Sequence, residues 1–241
     1  MAISGSVDYN PTAIEIITDA MIGAGVLDPT ESPEGAQAQY AFRALNRMTK
    51  SWQDDGAGVF GTAEGTLTLV NAQEKYTMGT GGDFSIRPLR IIGARWRNTS
   101  SIDLPMTELA RQEYFDLPDK FTNGTPTTWY YDPENDTGNR LGALFIWPRQ
   151  NTVTTETIEF TYQRVLSDFD ENANTADIPQ YWMQAIHDGL VFQLMKAYFP
   201  TPAYMGKVQQ ANIEAKDSLE RAQDFDRETA SVFFGLDDSG R

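Results

Sequence analysis

From Thr12 onward apolar residues return every three or four positions, at Ile14, Ile17, Met21 and Ala24, which lays one buried stripe along a helix. The pattern predicts a helix over 12–24, started by Asn10-Pro11-Thr12 and stopped by Gly25. Asp28-Pro-Thr-Glu-Ser32-Pro33 reads as a turn into a second helix over 33–54, with Ser32 as cap and Pro33 in the first position. Its stripe is Ala38, Ala41, Leu45, Met48 and Trp52, and Asp54-Asp55-Gly56 ends it. From Val59 the period falls to two: Thr66 to Val70 and Tyr76 to Met78 alternate polar with apolar. Further strands are predicted over 88–97, 126–131, 142–147 and 153–165, with an isolated helix over 107–117 ended by Pro118. A polar, acidic linker, Ser167 to Asn174, closes this region. Helical spacing then resumes. Trp182, Ile186, Leu190, Leu194 and Ala197 mark a helix over 179–199, and Val208, Ala211, Ala215, Leu219, Ala222 and Phe225 mark one over 203–227.

The order of helices, strands and helices predicts an α+β chain. Neither helix pair alone buries much, so both pairs are expected in one antiparallel-type helical bundle, with a β-rich domain of sandwich or barrel-like form inserted between them. The expected boundaries are 1–59 and 167–227 for the bundle, 60–166 for the insert and 228–241 for an extended C-terminal docking tail.

Charge narrows the function. With 34 acidic against 19 basic side chains the net charge is -15, which disfavours a non-specific grip on nucleic acid, since that rests on Lys and Arg neutralising phosphates. The chain has no cysteine, which removes disulfides, thiolate metal sites and cysteine nucleophiles and fits a reducing cytoplasm. Its first residues lack a basic segment followed by a long apolar run, and no run has the length of a membrane span, so a soluble protein without membrane contact is expected. The Asn-x-Ser/Thr matches at Asn98, Asn123 and Asn135 are therefore read as chance.

Candidate chemistry is sparse. The single histidine, His187, flanks an apolar helical stripe with no nucleophile or metal set at useful spacing, and reads as structural. Met78-Gly-Thr-Gly-Gly-Asp83 is glycine-rich but is not followed by a helix, as a phosphate cradle requires. Asp132 to Gly138 resembles an oxygen-rich cation loop, yet its glycine falls one place late and Ala143 stands where the closing carboxylate belongs. Asp168, Asp170, Asn172 and Asn174 alternate oxygen ligands, but Ala173 and Pro179 replace the glycine and the glutamate, which leaves a divalent cation there an open alternative. No catalytic, cofactor-binding or metal residue is assigned, and the chain is expected not to be an enzyme. The tail is different: Val232, Phe233, Phe234 and Leu236 form an apolar knot in a stretch that is ordinarily polar, which leaves two readings open, a segment folded back on the chain's own core or a set of partner-docking residues.

Residues 86–148 carry a resemblance. Pro88-Leu-Arg-Ile-Ile-Gly-Ala-Arg-Trp96, Ile102-Asp-Leu-Pro-Met106, Tyr114, Gly124-Thr-Pro126, Trp129-Tyr-Tyr-Asp-Pro133 and Leu144-Phe-Ile-Trp-Pro148 follow one another in an order that resembles the head-to-tail adaptors of short-tailed bacteriophages, also called tail accessory or packaged-DNA stabilisation proteins. The Leu45 to Trp52 helix, Asp55-Gly56, and Leu166 followed by Ile178-Pro179-x-Tyr181 extend it over most of the chain. The resemblance implies a non-enzymatic homo-oligomeric ring of about twelve copies in the virion neck, assembled in the host cytoplasm, docked under the portal protein and receiving the tail nozzle protein and tail fibres. Packaged DNA would pass through without specific binding. The alternative is a carbohydrate-binding or fibre-associated virion module, with Trp96, Trp129, Tyr130, Tyr131 and Trp147 as a sugar platform. A tail-associated hydrolase comes third, to be recognised by paired carboxylates.

Overall fold

α1, Ala13–Gly23, starts where the Glu15 carboxylate reaches back to the Thr12 amide at 2.8 Å and the Thr12 hydroxyl at 2.7 Å. It stops at Gly25, whose φ of 72° continues the chain into the left-handed region while the amides of Gly25 and Val26 donate to the carbonyls of Ile22 and Met21. These elements come from a computed structural model, which describes Gly5 and residues 9–54, 61–136, 138–151 and 155–226. Among the described residues there are five α-helices and a seven-stranded sheet, and the chain divides into two compact units. One draws on Met1–Phe60 and Ser167–Arg241, the other on Gly61–Leu166.

The first unit holds α1, α2 (Gly35–Asp54), α4 (Met183–Tyr198) and α5 (Met205–Phe225), and α4 packs against each of the other three. α2 begins two residues later than its sequence suggests. The Gln37 side chain bonds the Glu34 amide at 3.1 Å, so Glu34 rather than Ser32 takes the capping place. Gly189 on α4 makes room for α2, since a Cβ there would sit 2.6 Å from the Met48 sulfur and 3.3 Å from the Trp52 ring. α5 buries only Ala211, Ser218 and Ala222, small residues that admit close approach.

What joins the two stretches of this unit is the segment after Ser167. Asn46 of α2 donates to the Phe169 carbonyl at 2.7 Å and accepts from the Phe169 amide at 2.9 Å, as a neighbouring strand would. Lys50 pairs with Asp168 at 2.8 Å. The amides of Ala13 and Ile14, left without partners at the start of α1, donate to the carbonyls of Asn174 and Asn172. At the far end the Tyr181 hydroxyl donates to Asp226 at 2.6 Å and its ring packs on Phe225. Burial, reinforced by that bond, pushes the Tyr181 phenol up to about 12.

The second unit is a sheet in the order β1-β7-β3-β4-β5-β6-β2, from β1 (Thr62–Thr68), β2 (Lys75–Met78), β3 (Arg90–Arg97), β4 (Asp103–Glu108), β5 (Thr128–Asp136), β6 (Leu141–Trp147) and β7 (Thr157–Gln163). Every pairing is antiparallel except the short β4/β5 contact. The sheet curls so that all seven strands contribute to one core, among them Leu67, Tyr76, Ile91, Met106, Trp129, Leu144 and Ile158. β4 was not expected. Pro105 lies within it, yet only Thr107 and Glu108 pair with β5, so over Pro105 one edge of β4 is open and a missing amide costs nothing. The helix expected over 107–117 shrinks accordingly to α3, Arg111–Asp116.

Two outcomes follow. Asn46→Ala strips both hydrogen bonds from the buried Phe169 backbone and should destabilise the protein by about 1–3 kcal/mol in urea denaturation. For Tyr181 the folded-state value lies above the ordinary 10.0, so its contribution is whole below pH 10 and is lost as pH rises towards about 12. Tyr181→Phe should flatten that alkaline part of the stability profile.

Candidate interaction surfaces

The structure puts three of the platform aromatics out of reach. Trp129 is buried in the core of the curled sheet, Trp96 is buried beside it with its indole donating to Glu156 at 3.1 Å, and Tyr130 is buried on the opposite face. The Tyr131 hydroxyl donates to the Pro88 carbonyl at 2.6 Å, and burial raises its pKa well above the usual phenol range. Trp147 is half-buried, its indole donating to the Asp119 carbonyl at 2.9 Å. These rings hold the sheet together and make no shared sugar-binding face.

An aromatic surface does exist, but on other residues. Alternation along β5 and β6 turns Tyr130 and Phe145 away from the core, and Tyr114 of α3 covers them, with centroids 5.5 Å from Tyr130 and 5.0 Å from Phe145. α3 is held there by Glu113, whose carboxylate accepts from the Ala110 amide at 2.7 Å. Around this stack Phe115 and Phe121 are 56% and 59% exposed. The Lys120 ammonium lies 5.5 Å from Tyr114 and 5.9 Å from Phe115, and the Arg149 guanidinium lies 5.3 Å from Phe121. The sequence puts Tyr114 and Phe115 in an expected helix, Lys120 and Phe121 in the turn-rich stretch after it and Tyr130 and Phe145 in expected strands, and no spacing among them gives a sign that they meet.

The sequence's candidate sites resolve into structural roles. His187 Nδ1 lies 3.0 Å from Asp188 beside a cleft of about 340 Å³ lined by Tyr9, Ile16, Asp19 and Gln184, whose lining adds a second carboxylate but no serine or lysine. In the glycine-rich turn Asp83 accepts from the Thr77 amide at 2.7 Å and the Thr77 hydroxyl at 2.8 Å, so its carboxylate braces β2. Asp136 is held below the usual carboxylate range by hydrogen bonds from Asn139 and Gly138, as the acceptor that shapes its own hairpin. In the 168–174 loop, Asn174 Oδ1 accepts from the Asp170 and Glu171 amides, Asp168 pairs with Lys50, and two carbonyls serve α1. No cluster of three metal-ligating side chains occurs among the described residues. Val232, Phe233, Phe234 and Leu236 lie outside the described residues.

Charge divides unevenly between the units. Residues 61–166 carry 13 acidic and 10 basic side chains against 21 and 9 in the rest, so the helical unit holds most of the -15. No described helix is long and apolar enough to cross a membrane.

A family model described as SU10 adaptor protein matches residues 12–233, a span that runs through both units. The chain belongs to that family. No curated protein matches it.

The two aromatic layers respond differently to truncation. Tyr114→Ala should cost about 3–5 kcal/mol in chemical denaturation because it opens the stack over β5 and β6. Phe121→Ala should stay within about 0.5 kcal/mol of the parent.

Proposed function

We propose that this adaptor-family chain is a structural component of a phage neck: a ring, of about twelve copies, that docks under the portal, extends its DNA channel and gives the tail nozzle and fibres their attachment platform. The observation that carries this is the family match over 12–233, which takes in sequence from both stretches of the helical unit and the whole of the sheet unit. The charge supports it. An excess of acidic side chains repels DNA, so a channel face supplied by the helical unit lets packaged DNA move without sticking. In this reading α1, α2, α4 and α5 act as one antiparallel bundle, and residues 60–166 are a β-rich module inserted into its sequence. Assembly takes place in the host cytoplasm, and no catalysis is involved.

Residues 228–241 are the docking element of this reading, through Val232, Phe233, Phe234 and Leu236. Burying four apolar side chains does not by itself offset the entropy of ordering the backbone that carries them. Ordering the tail therefore needs main-chain hydrogen bonds from the portal or from a neighbouring subunit, multiplied by the many tails of a ring. Deleting residues 229–241 should leave the melting temperature nearly unchanged and abolish stable attachment to portal-bearing heads, read by co-sedimentation. Unfolding of the truncated chain, or normal attachment without the tail, would reject this role. The purified protein should also leave labelled duplex DNA unshifted at low salt, and tight, salt-sensitive binding would count against a non-adhesive channel.

A further inference from the structure

The two edges of the sheet are treated differently. At β2 the outward main-chain groups other than the Lys75 amide are occupied by the chain itself: the Thr77 amide by Asp83 at 2.7 Å, the Thr77 carbonyl by the Phe84 amide at 3.1 Å, the Gly79 amide by the Phe84 carbonyl at 2.8 Å and the Lys75 carbonyl by Gln73 at 2.9 Å. β1 has no such cover. The Arg164 amide donates to the Gly61 carbonyl and the Leu69 amide to the Glu156 carbonyl, which fixes the phase of the β1/β7 ladder: Ala63, Gly65 and Leu67 bond to β7. Thr62, Glu64, Thr66 and Thr68 then point their amides and carbonyls away from the sheet, with no partner among the described residues. An open edge of seven residues, without proline or lysine to blunt it, is a template for another strand.

We propose that the β1 edge receives the C-terminal segment of a second copy of this chain as an eighth strand, which locks neighbouring subunits together. The segment Ser231-Val-Phe-Phe-Gly-Leu236 has strand-forming composition, and at period two Val232, Phe234 and Leu236 share one face while Phe233 takes the other. The three would continue the inner face beyond Ala63, Gly65 and Leu67, where Ala63 and Phe84 are partly buried at the margin of the core. The choice of a second copy rests on the ring reading. A head-to-tail ring needs two different surfaces that fit one another, a tail and an edge, whereas two β1 edges meeting would give a closed dimer. β2 offers no second open edge.

The absence of native cysteine makes the test direct. Full-length chains carrying Phe233→Cys with Glu64→Cys, Thr66→Cys or Thr68→Cys are oxidised mildly and run on a non-reducing gel, with Phe234→Cys as the opposite-face control. Disulfide-linked multimers from at least one outer-face pair, and not from the control, are expected. A cross-link confined within single chains overturns the second-copy occupant, and no cross-link from any pair overturns the strand pairing. In parallel, Glu64→Pro removes one outward amide and leaves the β7 ladder whole. It should keep the melting temperature within a few degrees and raise the concentration for self-association at least tenfold. If Glu64→Pro self-associates and attaches to portal-bearing heads like the parent, the edge inference falls while the adaptor reading stands; if the parent does neither, both fall.

Discussion

The helical unit depends on one short-range interaction that spans a long stretch of sequence. Asn46 and Phe169 are 123 residues apart and meet as two strands would, amide to carbonyl and carbonyl to amide. Around this pair the first amides of α1 find carbonyls at Asn172 and Asn174, and Lys50 finds Asp168. A segment that composition marks as a loose acidic linker is thus the seam of the unit, because its main-chain groups answer the unpaired groups at helix ends and on one helix face. The oxygen-rich spacing of 168–174 has the same origin: the oxygens are arranged for amides.

The sheet solves a different problem. Seven strands that share one core must curl, and curling leaves two edges to be managed. β2 is closed by its own turn, through Asp83 and Phe84. The opposite face of β5 and β6 is covered by a helix of six residues that supplies a single ring, Tyr114. Small residues appear where backbones or rings must approach: Gly142 sits against the Tyr131 ring, and a Cβ there would come within 2.6 Å of its hydroxyl.

Much of this was legible in the sequence because periodicity records burial. The stripe of Ile17, Met21, Leu45, Met48, Ile186, Leu190 and Leu194 is the buried stripe, and the four long helices fall within a few residues of their expected bounds. What was lost has physical causes. Caps are decided by side-chain reach, so Gln37 set the start of α2 where Pro33 had suggested another. Proline excludes a strand only where its amide is needed, and at Pro105 it is not. Aromatic composition does not say which face a ring takes: Trp96 and Trp129 went inward, while Phe115 and Phe121, which no pattern marks, stayed out. The stacking of Tyr114 on Tyr130 and Phe145 joins residues distant in sequence, and no local rule contains it.

Insertion also sets a schedule. On a ribosome adding roughly 5–20 residues per second, Phe169 follows Asn46 by about 6–25 s, and α4, the partner of α1 and α2, follows later still. The sheet unit, continuous in sequence, is complete before α4, against which both preceding helices pack, has been made. For that interval Ile17, Met21, Leu45 and Met48 stand without the cover of α4 in the nascent chain, so helices made later decide when the stripes of helices made earlier can be fully buried.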